Sequence, residues 1–322
     1  MSFYISGTGS SVPKKVITNF DLMNFLETDD EWISSRTGIR ERRVLTDEKL
    51  LDLACEAAQN AIFDAHIKAD EIDMIICSSL VGDYISPAMS CLIRDKIGSK
   101  SKFVFDINMA CSGFIYAMDL ASVYFDSGRV SKVLIICAES LSRLVDWQDR
   151  ASCVLFGDGA GAVVLEKGNG LIAVCNKSQA NAEILNVPGV RGNNPFSKAD
   201  DYKSQLTMDG QEVFMFAVSS IIDEINSILE NNALSSEDIS LFILHQANIR
   251  IINTARKKLK QPEIKFPHNI EKYGNTSSAS IPILLDELNK EGKLKLNDKL
   301  IFCAFGAGLT TGTCIIEWKK KK

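Results

Sequence analysis

The chain has 322 residues, 46 % hydrophobic and 24 % charged, with a formal net charge of −5. That composition suits a globular enzyme with room for two half-domains around a shared core. The acidic balance argues against a nucleic-acid binder, and the longest apolar runs, such as Val133–Ala138, are strand-length rather than membrane-spanning.

Met1-Ser-Phe-Tyr-Ile-Ser-Gly7 has no basic region ahead of an apolar stretch, so no signal peptide is read and a cytoplasmic location is expected. Lys14–Lys49 is irregular. A helix is predicted over Leu50–Ala65, then strands at Asp70–Cys77 and Phe103–Ile107 and a second helix over Ser112–Ser127, stopped by Gly128. The strand Lys132–Cys137 leads to a Gly-rich turn, Phe156-Gly-Asp-Gly-Ala-Gly161. Lys177–Gly210 is again irregular, and these two irregular segments are the expected caps over a site. Beyond them come a helical stretch at Glu224–Asn232, strands at Leu241–Leu244 and Lys299–Ala304, and a last Gly-rich turn, Phe305-Gly-Ala-Gly308. Nine cysteines are scattered singly without a CxxC pair, as reduced thiols of a cytosolic protein would be. Only three histidines occur, none spaced for zinc, so no metal site is expected.

The chain resembles itself. Asp70–Cys77 matches Glu237–Leu244 and Lys132–Cys137 matches Lys299–Ala304, both at an offset of 167 residues. The helical stretch Ala57–Ala65 falls opposite Glu224–Asn232 in the same register. Several anchors in one register indicate a duplicated unit. Each unit reads as strand, helix, strand, strand, helix, strand, strand. Its strands are near-continuous Val/Ile/Leu runs, as expected when both faces are covered. The expected architecture is therefore a layered α/β protein. Two pseudo-twofold halves, residues 1–170 and 171–322, bury helices between two sheets.

Three residues at strand ends carry candidate chemistry. Cys111 follows the strand Phe103–Ile107 and opens a helix, where unpaired amides favour a thiolate; small neighbours in Met109-Ala-Cys-Ser-Gly113 leave room for a substrate. Taken alone, it reads more readily as a buried small hydrophobe; the strand-to-helix position together with His245 shifts the balance. His245 ends the strand Leu241–Leu244. Asn275 follows Gly274 in a loop of small residues, where a turn or helix-cap role is the plain alternative. Together His245 and Asn275 can direct two N–H groups at one oxygen, which is what an enolate-forming reaction needs.

These motifs resemble the thiolase superfamily, and within it 3-oxoacyl-[acyl-carrier-protein] synthase III, over essentially the whole chain. The resemblance rests on Thr28–Arg42, Asp106–Gly113, Phe156–Gly161, His245-Gln-Ala-Asn248, Gly274-Asn-Thr-Ser277 and Phe305–Gly312. Thiolases place a second cysteine in the last Gly-rich turn, and chain-elongating synthases use a second histidine where this chain has Asn275. Plant-type polyketide synthases share the triad in longer chains. Hydroxymethylglutaryl-CoA synthases use a glutamate upstream of the cysteine, and Ser78–Pro87 contains none.

The resemblance implies an acyltransferase that condenses an acyl-CoA primer with malonyl-acyl carrier protein through an acyl-Cys111 intermediate, initiating fatty acid synthesis. It implies Cys111, His245 and Asn275 as catalytic residues and the backbone amides of Cys111 and Ala307 as an oxyanion hole. It assigns Trp32, Arg36, Arg150 and Asn248 to CoA, and Gln246, Ala247, Asn248, Ile249 and Arg250 to the carrier protein. Ser86 and Phe305 fall at the acyl pocket, and the small Ser86 predicts a roomier pocket than an acetyl-only enzyme has. The family turn reads Gly-Gly-Gly where this chain has Ala307. A homodimer is implied, with CoA thioester as substrate, no cofactor, and no nucleic-acid or membrane partner. Two alternatives stay open: a paralogue priming a polyketide or other secondary-metabolite pathway, and a non-catalytic partner subunit that kept the fold.

Overall fold

The structure, a computed structural model, describes residues 2–189, 195–196 and 205–320. It opens with β1 (Ser2–Ser11), followed by a ribbon of β2 (Val16–Thr18) and β3 (Glu41–Arg43) that brackets two short helices, α1 (Asn19–Leu22) and α2 (Asp30–Thr37). Asp29 caps α2 by accepting the Trp32 amide at 2.6 Å, and Gly38 ends it in the left-handed conformation at φ 84°. Next come α3 (Leu50–Asp64), β4 (Met74–Ser78), α4 (Met89–Lys96), β5 (Phe103–Ile107), α5 (Gly113–Asp126), β6 (Lys132–Ser140) and β7 (Asp158–Gly168). The first sheet has the order β1-β7-β6-β4-β5.

The second half begins at β8 (Leu171–Ser178), passes a small ribbon of β9 (Leu185–Asn186) and β10 (Thr207–Met208), and enters the long α6 (Gly210–Asn231). It continues through β11 (Leu241–Leu244), α7 (Ile249–Lys258), α8 (Ile270–Tyr273), α9 (Ser280–Lys290), β12 (Lys299–Gly306) and β13 (Thr310–Glu317). The second sheet has the order β11-β12-β13-β8.

Three apolar clusters set the layers. Phe114, Ile115 and Met118 of α5 and Ile281, Leu284 and Leu285 of α9 lie between the sheets, against Ile135 and Phe302. α3 and α4 cover the outer face of the first sheet, and α6 and α7 that of the second. The result is the expected five-layer α/β/α/β/α arrangement. The strands β4, β6, β11 and β12 have no exposed residue, which explains their unbroken apolar sequences.

The duplication extends to backbone detail. β4 and β11, α5 and α9, and β6 and β12 each begin 167 residues apart, and left-handed His66 (φ 56°) is matched by Ala233 (φ 54°). One element departs from the expected repeat. Opposite β5, the second half has the helical turn of α8 rather than a strand, and Gly274 (φ 63°) ends that turn and breaks the extension. The chain meets its neighbour only at Asn275, in a single bridge to Phe156. That substitution of turn for strand brings Asn275 to the site.

Candidate active site

Cys111 sits in a tight turn, Ala110–Ser112, between β5 and α5. Ala110 has φ 45°, a left-handed angle that costs a non-glycine residue of order 1 kcal/mol or more and is held here by surrounding packing. Gly113 presses on the end of β4, where a Cβ would stand 1.9 Å from Ser78 Oγ. Across the turn runs Gly306, the last residue of β12. A Cβ there would lie 2.8 Å from the Cys111 amide nitrogen, so glycine is required for this approach.

At this helix start the amide field favours a thiolate, and desolvation opposes it. Desolvation pushes the Cys111 thiol up to about 12; the nearby Glu139 carboxylate adds to the rise, and the Ser277 hydroxyl offsets part of it.

His245 continues the parallel ladder one residue past β11, its amide donating to the Cys303 carbonyl at 2.9 Å. The ring is buried, and desolvation takes its pKa down to about 3, so the imidazole is neutral. Ser280 Oγ lies 2.7 Å from Nδ1 and also accepts the Gln246 amide at 3.3 Å. This contact fixes the ring's orientation, and the Nε2–H tautomer is the one in which the Ser280 hydroxyl donates to Nδ1. Phe305 meets the imidazole edge-on, with ring centroids 5.3 Å apart.

Asn275 is fixed on both sides of its backbone, donating to the Leu155 carbonyl (2.8 Å) and accepting from Gly157 (3.0 Å). Its Oδ1 accepts the Ser277 amide at 2.8 Å, so the side-chain NH₂ is the end left to donate elsewhere.

Cys111, His245, Asn275, Phe305 and Ala307 all line one predominantly apolar cavity of about 440 Å³. Both irregular segments cap it. Trp32, Arg36 and Thr37 come from the first, and Leu185, Val187, Leu206 and Met208 from the second, whose residues 190–194 and 197–204 lie outside the described residues. At the mouth, the Arg36 and Arg150 guanidinium carbons stand 4.8 and 5.3 Å from the Trp32 ring centroid. Arg150 also donates to the Glu27 carbonyl. Asn248 caps α7 by accepting the Arg250 amide at 2.8 Å and lines the cavity with Ala247 and Arg250, whose guanidinium lies over Phe214.

One reading from sequence needs correction. Gln246 does not face a partner: it is buried, its amide donating to the Leu244 carbonyl and accepting from the Asn269 backbone. Ile249 is half-buried and packs against Gly38 between α7 and α2. Ser86 stands exposed on a loop and is not in the cavity wall of its own chain. The departure at Ala307 is accommodated, because Ala307 is not among the residues with left-handed backbone, whereas Gly308, at φ 143°, is in that region.

Sequence reasoning missed Ser277, Ser280 and Glu139. Glu139 is fully buried at the end of β6, where its carboxylate accepts Ser278 Oγ (2.5 Å) and the Leu80 amide (3.0 Å). A carboxylate in an otherwise apolar strand was the available signal. For Ser277 the signal was its place in the repeat, opposite Ala110, whose left-handed backbone it shares at φ 49°.

Comparison with known proteins agrees with this geometry. The family model described as 3-Oxoacyl-[acyl-carrier-protein (ACP)] synthase III matches residues 105–180, and its C-terminal counterpart matches residues 229–318. A beta-ketoacyl-[acyl-carrier-protein] synthase III of Clostridium acetobutylicum is 45 % identical, covering 99 % of both chains. One from Aquifex aeolicus is 43 % identical over 99 % of this chain and 100 % of its own. A crystal structure of the Aquifex aeolicus VF5 synthase superposes with a TM-score of 0.92 at 42 % identity, covering 98 % of this chain and all of that one. The chain belongs to the 3-oxoacyl-[acyl-carrier-protein] synthase III family and has its thiolase-like fold. It is accordingly an acyltransferase of the condensing type.

Proposed function

We propose that the enzyme joins an acyl-CoA primer to malonyl-acyl carrier protein, giving 3-oxoacyl-acyl carrier protein, carbon dioxide and CoA, as the first condensation of fatty acid synthesis. The observation that supports this reading most is the convergence of a thiol, a neutral imidazole and a carboxamide on one apolar cavity. Cys111 attacks the primer thioester, and the amides of Cys111 and Ala307 stabilise the oxyanion. CoA leaves. Malonyl-carrier protein then enters, and loss of carbon dioxide generates an enolate whose oxygen takes hydrogen bonds from His245 Nε2 and Asn275 Nδ2. A neutral imidazole suits that task, because it donates a proton-bearing nitrogen without surrendering the proton. Each such donor contributes on the order of 3 kcal/mol to lowering the barrier. The chemistry needs only the two thioesters, so no cofactor is invoked.

Trp32, Arg36 and Arg150 form the site for the flat base and phosphates of CoA. On α7, Arg250, Lys257 and Lys258 are exposed in an otherwise acidic chain and steer an acidic carrier protein, with Ala247 and Asn248 along the phosphopantetheine path. The protein acts in the cytoplasm; among the described residues no helix is long and apolar enough to cross a membrane. It works as a homodimer. β5 is an open edge whose Phe103, Phe105 and Ile107 are only partly buried, and pairing two such edges would cover them. The exposed loop at Tyr84, Ile85 and Ser86 would then be available to a partner's acyl pocket, where small Ser86 leaves room for primers longer than acetyl. Reconstitution with purified malonyl-carrier protein and a series of acyl-CoA primers tests the reading: product and carbon dioxide should appear in equal amounts.

A further inference from the structure

The two amides assigned to the oxyanion hole come from opposite halves, so their spacing is set by whatever joins the turns that carry them. The Cys111 amide belongs to the turn before α5, and the Ala307 amide to residues 307–309, which link β12 to β13. Among the described residues neither amide donates to another backbone group, so both are left to bind a substrate oxygen. Gly306 meets Cys111 by close approach alone. Among the described residues, the hydrogen bonds between the two turns all involve Thr310, the first residue of β13. Its hydroxyl donates to Ser112 Oγ at 3.1 Å and faces the Ala307 carbonyl at 3.2 Å and the Met109 carbonyl at 3.5 Å. Ser112 Oγ returns a longer bond to the Thr310 carbonyl at 3.4 Å. Resting on the acyl-cysteine reading above, we infer that Thr310, with Ser112, is a positioning residue that holds the Cys111 and Ala307 amides at the spacing one oxyanion needs.

The surroundings of Thr310 fit that task. Its backbone is anchored on both sides, paired with Gly306 of β12 and with Ser178 of β8. Both hydroxyl-bearing side chains are buried, so water cannot replace a bond that is lost. The threonine methyl fills the bend of the turn: a Cβ on Gly308, whose φ is 143°, would stand 2.7 Å from Thr310 Cγ2. The hydroxyl has one proton and serves one acceptor at a time, but its two shorter contacts draw Ser112 and Ala307 towards the same point. The other half lacks this pair. Glu139 is paired with Gly159 as Gly306 is with Thr310, and Ala279 stands 167 residues after Ser112. Neither Gly159 nor Ala279 has a hydroxyl, so the device accompanies the thiol and is absent around its counterpart, Ser278.

The oxyanion hole acts when the Cys111 sulfur adds to the primer carbonyl, and again when the enolate carbon adds to the acyl-Cys111 carbonyl. Malonyl decarboxylation places its charge on a different oxygen, served by His245 and Asn275. A misplacement of about 1 Å at a reacting centre can cost about a hundredfold. Loss of the Thr310 hydroxyl should therefore slow the two addition steps and spare decarboxylation, whereas a merely structural role would weaken all three.

The test compares acyl-Cys111 formation from acetyl-CoA, followed by quench and intact-mass measurement, with carbon dioxide release from malonyl-carrier protein in the absence of primer. Thr310→Val, which keeps the shape and the methyl but removes the hydroxyl, should lower the maximal acylation rate about thirtyfold, with the half-saturating acetyl-CoA concentration unchanged. Its decarboxylation rate should stay within about twofold of wild type. Thr310→Ser, which restores the hydroxyl, should recover most of the acylation rate. Adding Ser112→Ala to Thr310→Val should cost little more, because the two hydroxyls act as a pair. If Thr310→Val acylates at the wild-type rate, or loses acylation and decarboxylation equally, the positioning role is wrong while the acyl-cysteine reading stands. If the wild type itself gains no acyl group on Cys111, that reading and the positioning role fall together.

Discussion

Gly306 and Glu139 occupy equivalent places in the two halves, 167 residues apart, and each abuts the turn of the opposite half. Gly306 lies against Cys111, and Glu139 accepts the hydroxyl of Ser278, the residue equivalent to Cys111. One half thus keeps the approach bare so that a substrate can reach a thiol. The other fills the same approach with a carboxylate, and its serine is bound rather than reactive. A single active site per chain follows from that asymmetry.

Gly306→Ala should therefore be severe at a position that looks conservative. The new Cβ would stand 2.8 Å from the Cys111 nitrogen and 3.2 Å from its Cβ. Moving the turn to relieve the clash should cost about 1–3 kcal/mol of stability and misplace the thiol. Denaturant unfolding and acyl-Cys111 formation should both show the loss.

His245→Ala and Asn275→Ala should each slow malonyl decarboxylation about 100- to 1,000-fold, the effect of deleting one donor to a developing oxyanion. Acylation of Cys111 should survive in both. Ser280→Ala should give a smaller loss in the same step, about tenfold, because it frees the tautomer without removing the ring. Radiolabelled carbon dioxide release, measured separately from acylation, distinguishes these outcomes.

The fold was legible because both halves write their buried strands as unbroken Val/Ile/Leu runs in one register. Cys111 and His245 were legible because each ends or follows such a run, whereas Asn275 follows a helical turn and was read from its motif Gly274-Asn-Thr-Ser277. What escaped were residues whose meaning depends on a distant partner. Gln246 sits in a polar stretch and looks exposed, yet Asn269, 23 residues on, and the Leu244 carbonyl satisfy it in the interior. Ser280 acquires its role from a ring 35 residues away and Glu139 from a serine 139 residues away.

Stability should depend on pH in two opposed ways. Folding lowers the His245 pKa from 6.5 to about 3, so the unfolded chain binds the extra proton and stability is lost as pH falls from about 6.5 towards 3. The full effect is on the order of 5 kcal/mol. Folding raises the Glu139 pKa from 4.5 to about 7, so its contribution runs the other way: it is present at low pH and is lost as pH rises through 7. His245→Asn should flatten the acid side of the unfolding free energy, and Glu139→Gln should flatten the neutral side. Urea melts between pH 4.5 and 8 would read both.

Lys257 and Lys258 are exposed on α7, beyond the cavity mouth. Reversing both to Glu should lower kcat/KM for malonyl-carrier protein about tenfold at low salt, with less effect as salt rises. The rate of acylation by acyl-CoA should be unchanged. Equal losses on both substrates would remove the carrier-protein role of this helix.

The central claim is that a thiol, an imidazole and a carboxamide from opposite halves act in one cavity, with Cys111 holding the acyl group and His245 and Asn275 serving the enolate oxygen. Mixing the protein with acetyl-CoA and mapping the modified peptide by mass spectrometry tests it most directly. The account predicts one acetyl group per chain on the Cys111 peptide, discharged by malonyl-carrier protein and absent from Cys111→Ala. An unmodified chain, or acetylation on another cysteine, would contradict it.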